Sequence, residues 1–255
     1  MDKNQTIAPK PKAEVIRPEI TRLPELTFAR RVFRVFMNAL IRLVVRLAAR
    51  TKTYGLENVP ARGPALMVAN HLGDADLVVG LAFTPTTLEF LSKAELHDYP
   101  VLGKVMDAYG AIWLHRGQPD RRALRAALEV LRQGRIVAIA PEGRENLTGA
   151  LEEGTGGAAY LALKADVPVI PAAFTGTENA RIYGNLKRFR RTEITLTVGP
   201  AFRLEQMADH RAAIAKGTQK IMEKLAALLP QNYQGVYSRQ PESIAEAPQT
   251  HPVEK

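Results

Sequence analysis

A histidine and an aspartate stand five positions apart, as His71 and Asp76, in the stretch "NHLGDADL" (70–77). The stretch follows the apolar run "ALMV" (65–68), so titratable groups sit where a buried strand would end. On one continuous helix, at about 100° per residue, side chains five apart point about 140° away from each other. With His71 in a loop and Asp76 in the first turn of a following helix, the chain can fold back and bring them together. A carboxylate on one ring nitrogen fixes the imidazole tautomer and supports its protonated form. The other nitrogen is then left to take a proton from a substrate. A histidine that merely closes the strand end fits the same residues. Asp74 suits the helix N-cap, its carboxylate accepting backbone N–H groups.

No other part of a nucleophilic apparatus is visible. The chain has no cysteine, which excludes a thiolate nucleophile, thiolate metal ligands and disulfides. No serine lies near the motif, and Gly-x-Ser-x-Gly does not occur. The nucleophile must therefore come with the substrate, for instance as an alcohol. His-Glu-x-x-His is absent, and no second histidine is close to His71 in sequence, so neither a metal nor a bound cofactor is expected. The formal charge of +9 favours anionic partners such as lipid headgroups, nucleic acid or phosphorylated metabolites. Nucleic acid is disfavoured, because aromatic residues are only 6% of the chain and the arginine-rich stretch carries an apolar stripe.

Three further blocks accompany the first. They are "GAIWLHRG" (110–117), "APEGRENLTGAL" (140–151) and "VPVIPAAF" (167–174). In this order and spacing the four blocks resemble the glycerolipid acyltransferase family, whose first block is His-x4-Asp and whose third usually reads Phe-Pro-Glu-Gly-Thr-Arg-Ser. The resemblance covers 50–205. It implies acyl transfer to the hydroxyl of a lysophospholipid, 1-acylglycerol-3-phosphate in the best-matching activity, with acyl-CoA or acyl carrier protein as donor. It implies His71 as general base and Asp76 as its orienting partner. Arg116 would hold the acceptor phosphate, since a guanidinium fork matches that group. Glu142 and Gly143 would shape the same pocket, and Pro171 its wall. The third block departs from the family pattern: Arg144 stands at the threonine position and Glu145 at the arginine position. Arg144 is expected to replace the missing cation if the loop re-aims. A charge reversal beside a phosphate weakens binding unless another cation offsets it, so the departure bears on acceptor identity more than on reaction type. An acyltransferase for another lysophospholipid or a glycolipid, and a non-catalytic basic membrane-binding protein, are the competing readings.

The elements that must carry these residues follow from periodicity. The chain is expected to form one α/β domain, 53–229, with a mixed central sheet flanked by helices. A flexible leader (1–25) and a basic amphipathic helix (26–52) precede it, and a disordered tail (230–255) follows. Strands are expected at 65–69, 88–91, 111–114, 135–141, 167–174 and 192–199. Helices are expected near 75–83, 99–108, 156–166 and 205–228, and over "PDRRALRAALEVLRQG" with Pro119 in its first turn. Pro171 marks an edge or a bulge. Ligands of such folds bind beyond strand ends, where "NHLGDADL" lies.

Residues 27–52 contain Arg30, Arg31, Arg34, Arg42, Arg46 and Arg50 and no acid. On a helix, Val32, Phe33, Phe36, Met37, Leu40, Leu43, Val44 and Leu47 share an arc of roughly 140°, with Val35, Ile41 and Val45 among the arginines. That pattern suits a helix lying in an anionic membrane surface, peripheral on its cytoplasmic face, or one packed on the core with its arginines in water. No stretch approaches the roughly 18 uncharged residues of a transmembrane helix, and the N-terminus lacks the apolar core of a signal peptide. "GTGG" (154–157) suits a phosphate cradle or a plain helix start. "LKRFRR" (186–191) suits CoA phosphates, the bilayer or a solvated turn.

Overall fold

The structure, a computed structural model, describes residues 17–115, 117 and 120–238. Most of the expected leader and tail, together with Arg116 and Pro119, lie outside the described residues. Seven strands form one mixed sheet: β1 (Ala49–Tyr54), β2 (Ala65–Ala69), β3 (Leu88–Lys93), β4 (Ile112–Leu114), β5 (Ile136–Ile139), β6 (Val169–Thr175) and β7 (Thr192–Val198). Their order is β1-β7-β6-β2-β5-β3-β4, and only the β6–β7 pair is antiparallel. The expected mixed sheet flanked by helices is therefore the observed architecture.

Strand β2 lies at the centre and is apolar throughout because both its faces are covered. Its side chains alternate between two cores. Leu66 and Val68 join the core beneath α4 (Arg121–Arg132), α5 (Gly156–Ala165) and α7 (His210–Ala226). Ala65 and Met67 join the other, beneath α1 (Phe28–Ala48), α2 (Ala75–Phe83) and α3 (Leu102–Tyr109). Helix α4 starts at Arg121, with Asp120 as the N-cap whose carboxylate accepts from Arg122 and Ala123 N–H. Helix α7 starts at His210 behind the N-cap Asp209, five residues later than expected.

Several expectations are corrected. The N-terminal helix ends at Ala48, and Ala49–Tyr54 form edge strand β1 on β7 instead of its last turns. Threonines 51 and 53, alternating with Arg50, Lys52 and Tyr54, carry the period of two that a strand needs. Pro171 lies in an interior strand, not at an edge. The β6–β7 ladder begins at Ala172, and Val169 bridges Phe202 beyond it. Pro171 sits at that interruption, where its missing N–H is harmless, and its carbonyl accepts from Gly199. Residues 230–238, expected to be disordered, form two short 3-10 turns bonded to Leu151 through Tyr233 O and Val236 N. Helix α6 (Asn179–Lys187) was not anticipated. It is short and has Gly184 in its middle.

Helix α1 reverses the orientation its composition suggests for a packed helix. Arg34, Ile41 and Val45 face the body, and Arg34 and Val45 are buried. Arg34 Nη1 and Nη2 donate to Glu89 Oε1 and Oε2 at 2.6 and 2.8 Å, and Nε donates to the Tyr109 carbonyl at 2.5 Å. Arg135 also reaches Glu89, at 2.9 Å. Most of the broad apolar arc faces outward instead, leaving Val32, Phe36, Leu40, Leu43, Val44 and Leu47 exposed, while Phe33 and Met37 pack half-buried on the body. No helix among the described residues is long and apolar enough to cross a membrane.

Candidate active site

The chain leaves the end of β2 through Asn70. Its side-chain amide extends the ladder to β6, accepting from Phe174 N at 2.7 Å and donating to Phe174 O at 3.0 Å. His71 follows, and α2 starts at Ala75, so the chain does turn back between them. His71 Nδ1 lies 2.9 Å from Asp76 Oδ2. The same oxygen accepts Leu72 N–H at 2.7 Å and Gly73 N–H at 3.0 Å. A carboxylate oxygen already receiving two amide protons faces the ring as an acceptor, which assigns the proton to Nδ1 and leaves Nε2 basic. The Asp76 side chain is buried, whereas the imidazole keeps 22% of its surface. No described residue bonds Nε2 of His71. Asp74 is the N-cap residue but makes no capping bond. Its carboxylate accepts the Tyr183 hydroxyl at 2.9 Å, and Asp76 serves the free amides of the turn instead.

The third block closes on His71 from the end of β5. Gly143 adopts φ 73 in a turn closed by Gly143 N–H to Ala140 O at 3.1 Å, a backbone region that favours glycine. Glu142 is fully buried. Its Oε1 accepts His71 N–H at 3.1 Å, and its Oε2 accepts Asn146 Nδ2 at 2.9 Å and Glu152 N–H at 3.0 Å. Burial pushes the Glu142 carboxyl above the usual carboxylate range, against the pull of these hydrogen bonds. Asn146 N–H donates to His71 O at 2.7 Å. Both backbone polar groups of His71 are thus held by the 142–146 loop.

Arg144 is paired with a buried carboxylate of its own loop. Its Nε and Nη2 each lie 2.7 Å from Glu152 Oε2, and both side chains are buried, so Glu152 neutralises the charge expected to meet a phosphate. Glu145 is half-buried. Its Oε1 accepts Asn179 Nδ2 at 2.7 Å, and Asn179 Oδ1 accepts Asp74 N–H at 3.0 Å. The hydrogen bond to Asp74, aided by burial and by the charges of Asp74 and Glu145, holds the Tyr183 hydroxyl above its ordinary pKa. Two carboxylates, Asp74 and Glu145, thus lie beside the His71 loop. Pro171 pairs with Val68 in the β2–β6 register, one strand away from the His71 loop. Asn70, Asn146, Glu152 and Asn179 carry no role in the sequence reading; for Asn70 and Asn146 the signal is their place inside the first and third blocks.

Arg116 lies outside the described residues, but its flank holds a second His-x4-Asp. His115 Nδ1 lies 3.0 Å from Asp120 Oδ2, which also accepts His115 N–H at 3.0 Å. The spacing and the contact repeat those of His71 and Asp76. The difference is at the far nitrogen: His115 Nε2 accepts Arg17 N–H at 2.8 Å, and the ring is buried. This second pair has no lone pair left to act as a base and serves to fix the loop before α4.

Residues 50–175 match the family model described as Acyltransferase. The 1-acyl-sn-glycerol-3-phosphate acyltransferase of Bacillus subtilis (strain 168) is 25% identical over 199 residues, covering 77% of this chain and 91% of that protein. The lyso-ornithine lipid O-acyltransferase of Pseudomonas aeruginosa is 36% identical over 115 residues, which is 45% of this chain and 44% of that protein. The crystal structure of the 1-acyl-sn-glycerophosphate acyltransferase PlsC from Thermotoga maritima superposes with a TM-score of 0.60 at 23% identity, covering 80% of this chain and 84% of that one, which bears on the fold alone.

Proposed function

The chain belongs to the acyltransferase family, and from that premise we propose that it transfers a fatty acyl group from acyl-CoA or acyl carrier protein to the hydroxyl of 1-acylglycerol-3-phosphate, making phosphatidic acid. The observation that carries the reading is the Nδ1–Oδ2 contact of 2.9 Å between His71 and Asp76, with no described residue on Nε2 and the ring partly exposed. Nε2 takes the acceptor hydroxyl proton as the oxygen attacks the thioester carbonyl. The tetrahedral intermediate collapses, the C–S bond breaks, and the imidazolium returns its proton to the leaving thiolate. Asp76 orients the ring and stabilises its cationic form. Glu142 and the amide of Asn146 hold the His71 backbone in place, a supporting role rather than one touching the reacting atoms.

The reaction takes place at a lipid surface. The outward apolar arc of α1, flanked by arginines, suits the interface of an anionic membrane, peripherally on the cytoplasmic face where such donors are found.

A second reading concerns the acceptor alone. Arg144 is neutralised by Glu152, and Asp74 and Glu145 place acidic groups beside the His71 loop. An acceptor whose headgroup is cationic or zwitterionic fits those carboxylates better than a phosphate does, and the Pseudomonas relative is named for such a lipid. The test is acyl transfer from labelled acyl-CoA and acyl carrier protein to a panel of lysophosphatidic acid, lyso-ornithine lipid and other lysolipids. His71→Ala is expected to lose about 10²–10⁴-fold in rate on whichever acceptor reacts, with the fold intact by circular dichroism. A fully active His71→Ala variant would remove the proposed base.

A further inference from the structure

Helix α6 ends in the paired hydrogen bonds of a Schellman motif: Phe189 N–H to Leu186 O at 3.0 Å and Arg190 N–H to Asn185 O at 2.9 Å. That motif places one residue in left-handed backbone, a position normally held by glycine. Here it is Phe189, at φ 52, and the residue is 99% exposed. Neither backbone preference nor packing accounts for a phenylalanine at this point. Its neighbours are Lys187, Arg188, Arg190 and Arg191, with no acid between 186 and 191. Arg191 ties the turn to the end of α1, its Nη2 donating to the carbonyls of Arg46 and Ala49 at 2.6 Å each. Leu43 and Leu47 are exposed on that same last stretch of α1. Beside the turn lies a cavity of about 610 Å3 lined by Arg50, Lys52, Arg181 and Arg191, with Glu193 as the one acid among its lining residues.

We propose that the α6–β7 turn is a second membrane anchor: Phe189 enters the apolar layer, the surrounding cations hold anionic lipid headgroups, and the neighbouring cavity receives a headgroup phosphate. The inference rests on the reading that catalysis takes place at a lipid surface. An exposed phenylalanine ringed by cations matches the chemistry of that boundary, where apolar side chains of interfacial segments sink to the edge of the acyl layer and basic residues meet anionic lipid. The anchor also has a consequence for the active site. Helix α6 has nine residues, about 13 Å at 1.5 Å per residue, and its first residue, Asn179, accepts Asp74 N–H beside His71. The turn therefore holds the His71 loop one short helix away from the lipid.

Sedimentation of the full chain with vesicles tests this, using phosphatidylcholine alone and phosphatidylcholine mixed with phosphatidylglycerol. Phe189→Gly is expected to raise the thermal midpoint, because glycine suits the left-handed position, while lowering partition onto both vesicle types about fivefold. Arg188→Gln with Arg190→Gln is expected to lower partition about tenfold on the anionic vesicles only. Acyl transfer to a detergent-dispersed acceptor should stay at the wild-type rate in both variants. Partition within twofold of wild type for both variants overturns the anchor. So does a raised KM for acyl-CoA in detergent with vesicle binding unchanged, which would make the turn a donor-phosphate site. Loss of partition in a protein that acylates no acceptor on the panel upholds the anchor and sinks the acyl-transfer reading instead.

Discussion

Two histidines meet an aspartate five residues on at nearly the same distance, and only one is equipped for proton transfer. His71 keeps Nε2 without a described partner, whereas His115 gives Nε2 to the Arg17 amide and is buried. His115→Ala is therefore expected to lower stability by about 1–3 kcal/mol, the range for leaving buried hydrogen-bonding groups unpaired, in chemical denaturation. Its acyl transfer per folded molecule, at a saturating acceptor concentration, should stay within a few-fold of wild type. A loss as large as that of His71→Ala would mean that the second pair takes part in the chemistry. The pairing of His71 with Asp76 was legible because five residues span a loop and one helical turn. The fate of Arg144 was not, because Glu152 lies eight residues away and nothing local marks it as the partner.

At the scale of elements, α1 has two faces with separate work. The inner face is pinned through Arg34 to Glu89, and the outer face leaves Leu43 and Leu47 exposed. Leu43→Glu with Leu47→Glu should leave the thermal midpoint nearly unchanged and abolish most sedimentation with anionic vesicles. Arg34→Ala should cost about 3 kcal/mol, the low end for removing one member of a buried pair, since Arg135 still faces Glu89. If the outer-face variant sediments as the wild type does, α1 is no membrane contact. The extents of β2 and α2 are readable from sequence because β2 is an uninterrupted apolar run and α2 is apolar from Leu77 to Phe83. The orientation of α1 is not. Most of its broadest apolar arc points away from the core, and Ile41 and Val45, which stood among the arginines, pack together with only Phe33 and Met37 from that arc. Strand β1 was hidden for a similar reason, its basic side chains continuing the pattern of the helix before it.

The molecule as a whole joins two helical layers through one sheet, and a few carboxylates hold loops to that frame. Burial acts to raise the Asp120 carboxyl, but the amides of His115, Ala123 and Arg122 and the His115 ring outweigh it and hold it below the ordinary range. A depressed carboxylate stabilises the fold at neutral pH, and that stability is lost as pH falls through its folded value. The contribution of Asp120 to the thermal midpoint should thus be level from neutrality down to about pH 5 and fall once pH drops below about 4, the ordinary aspartate range. Asp120→Asn should lie lower at neutral pH and show less of that acid loss, so calorimetry at several pH values separates this carboxylate from the rest. The single sheet and its flanking layers followed from alternating strands and helices. The closing turns of 230–238 did not, because their hold on Leu151 depends on where the chain returns in space. The ion pair beneath α1 has one more consequence. If α1 lies in a bilayer as proposed, a rod clamped to a rigid body leaves that body free to slide in the membrane plane and to spin about its normal, and takes away its tumbling. Every acceptor drifting past would then meet the imidazole at one depth, so that encounters are sorted in two dimensions rather than three.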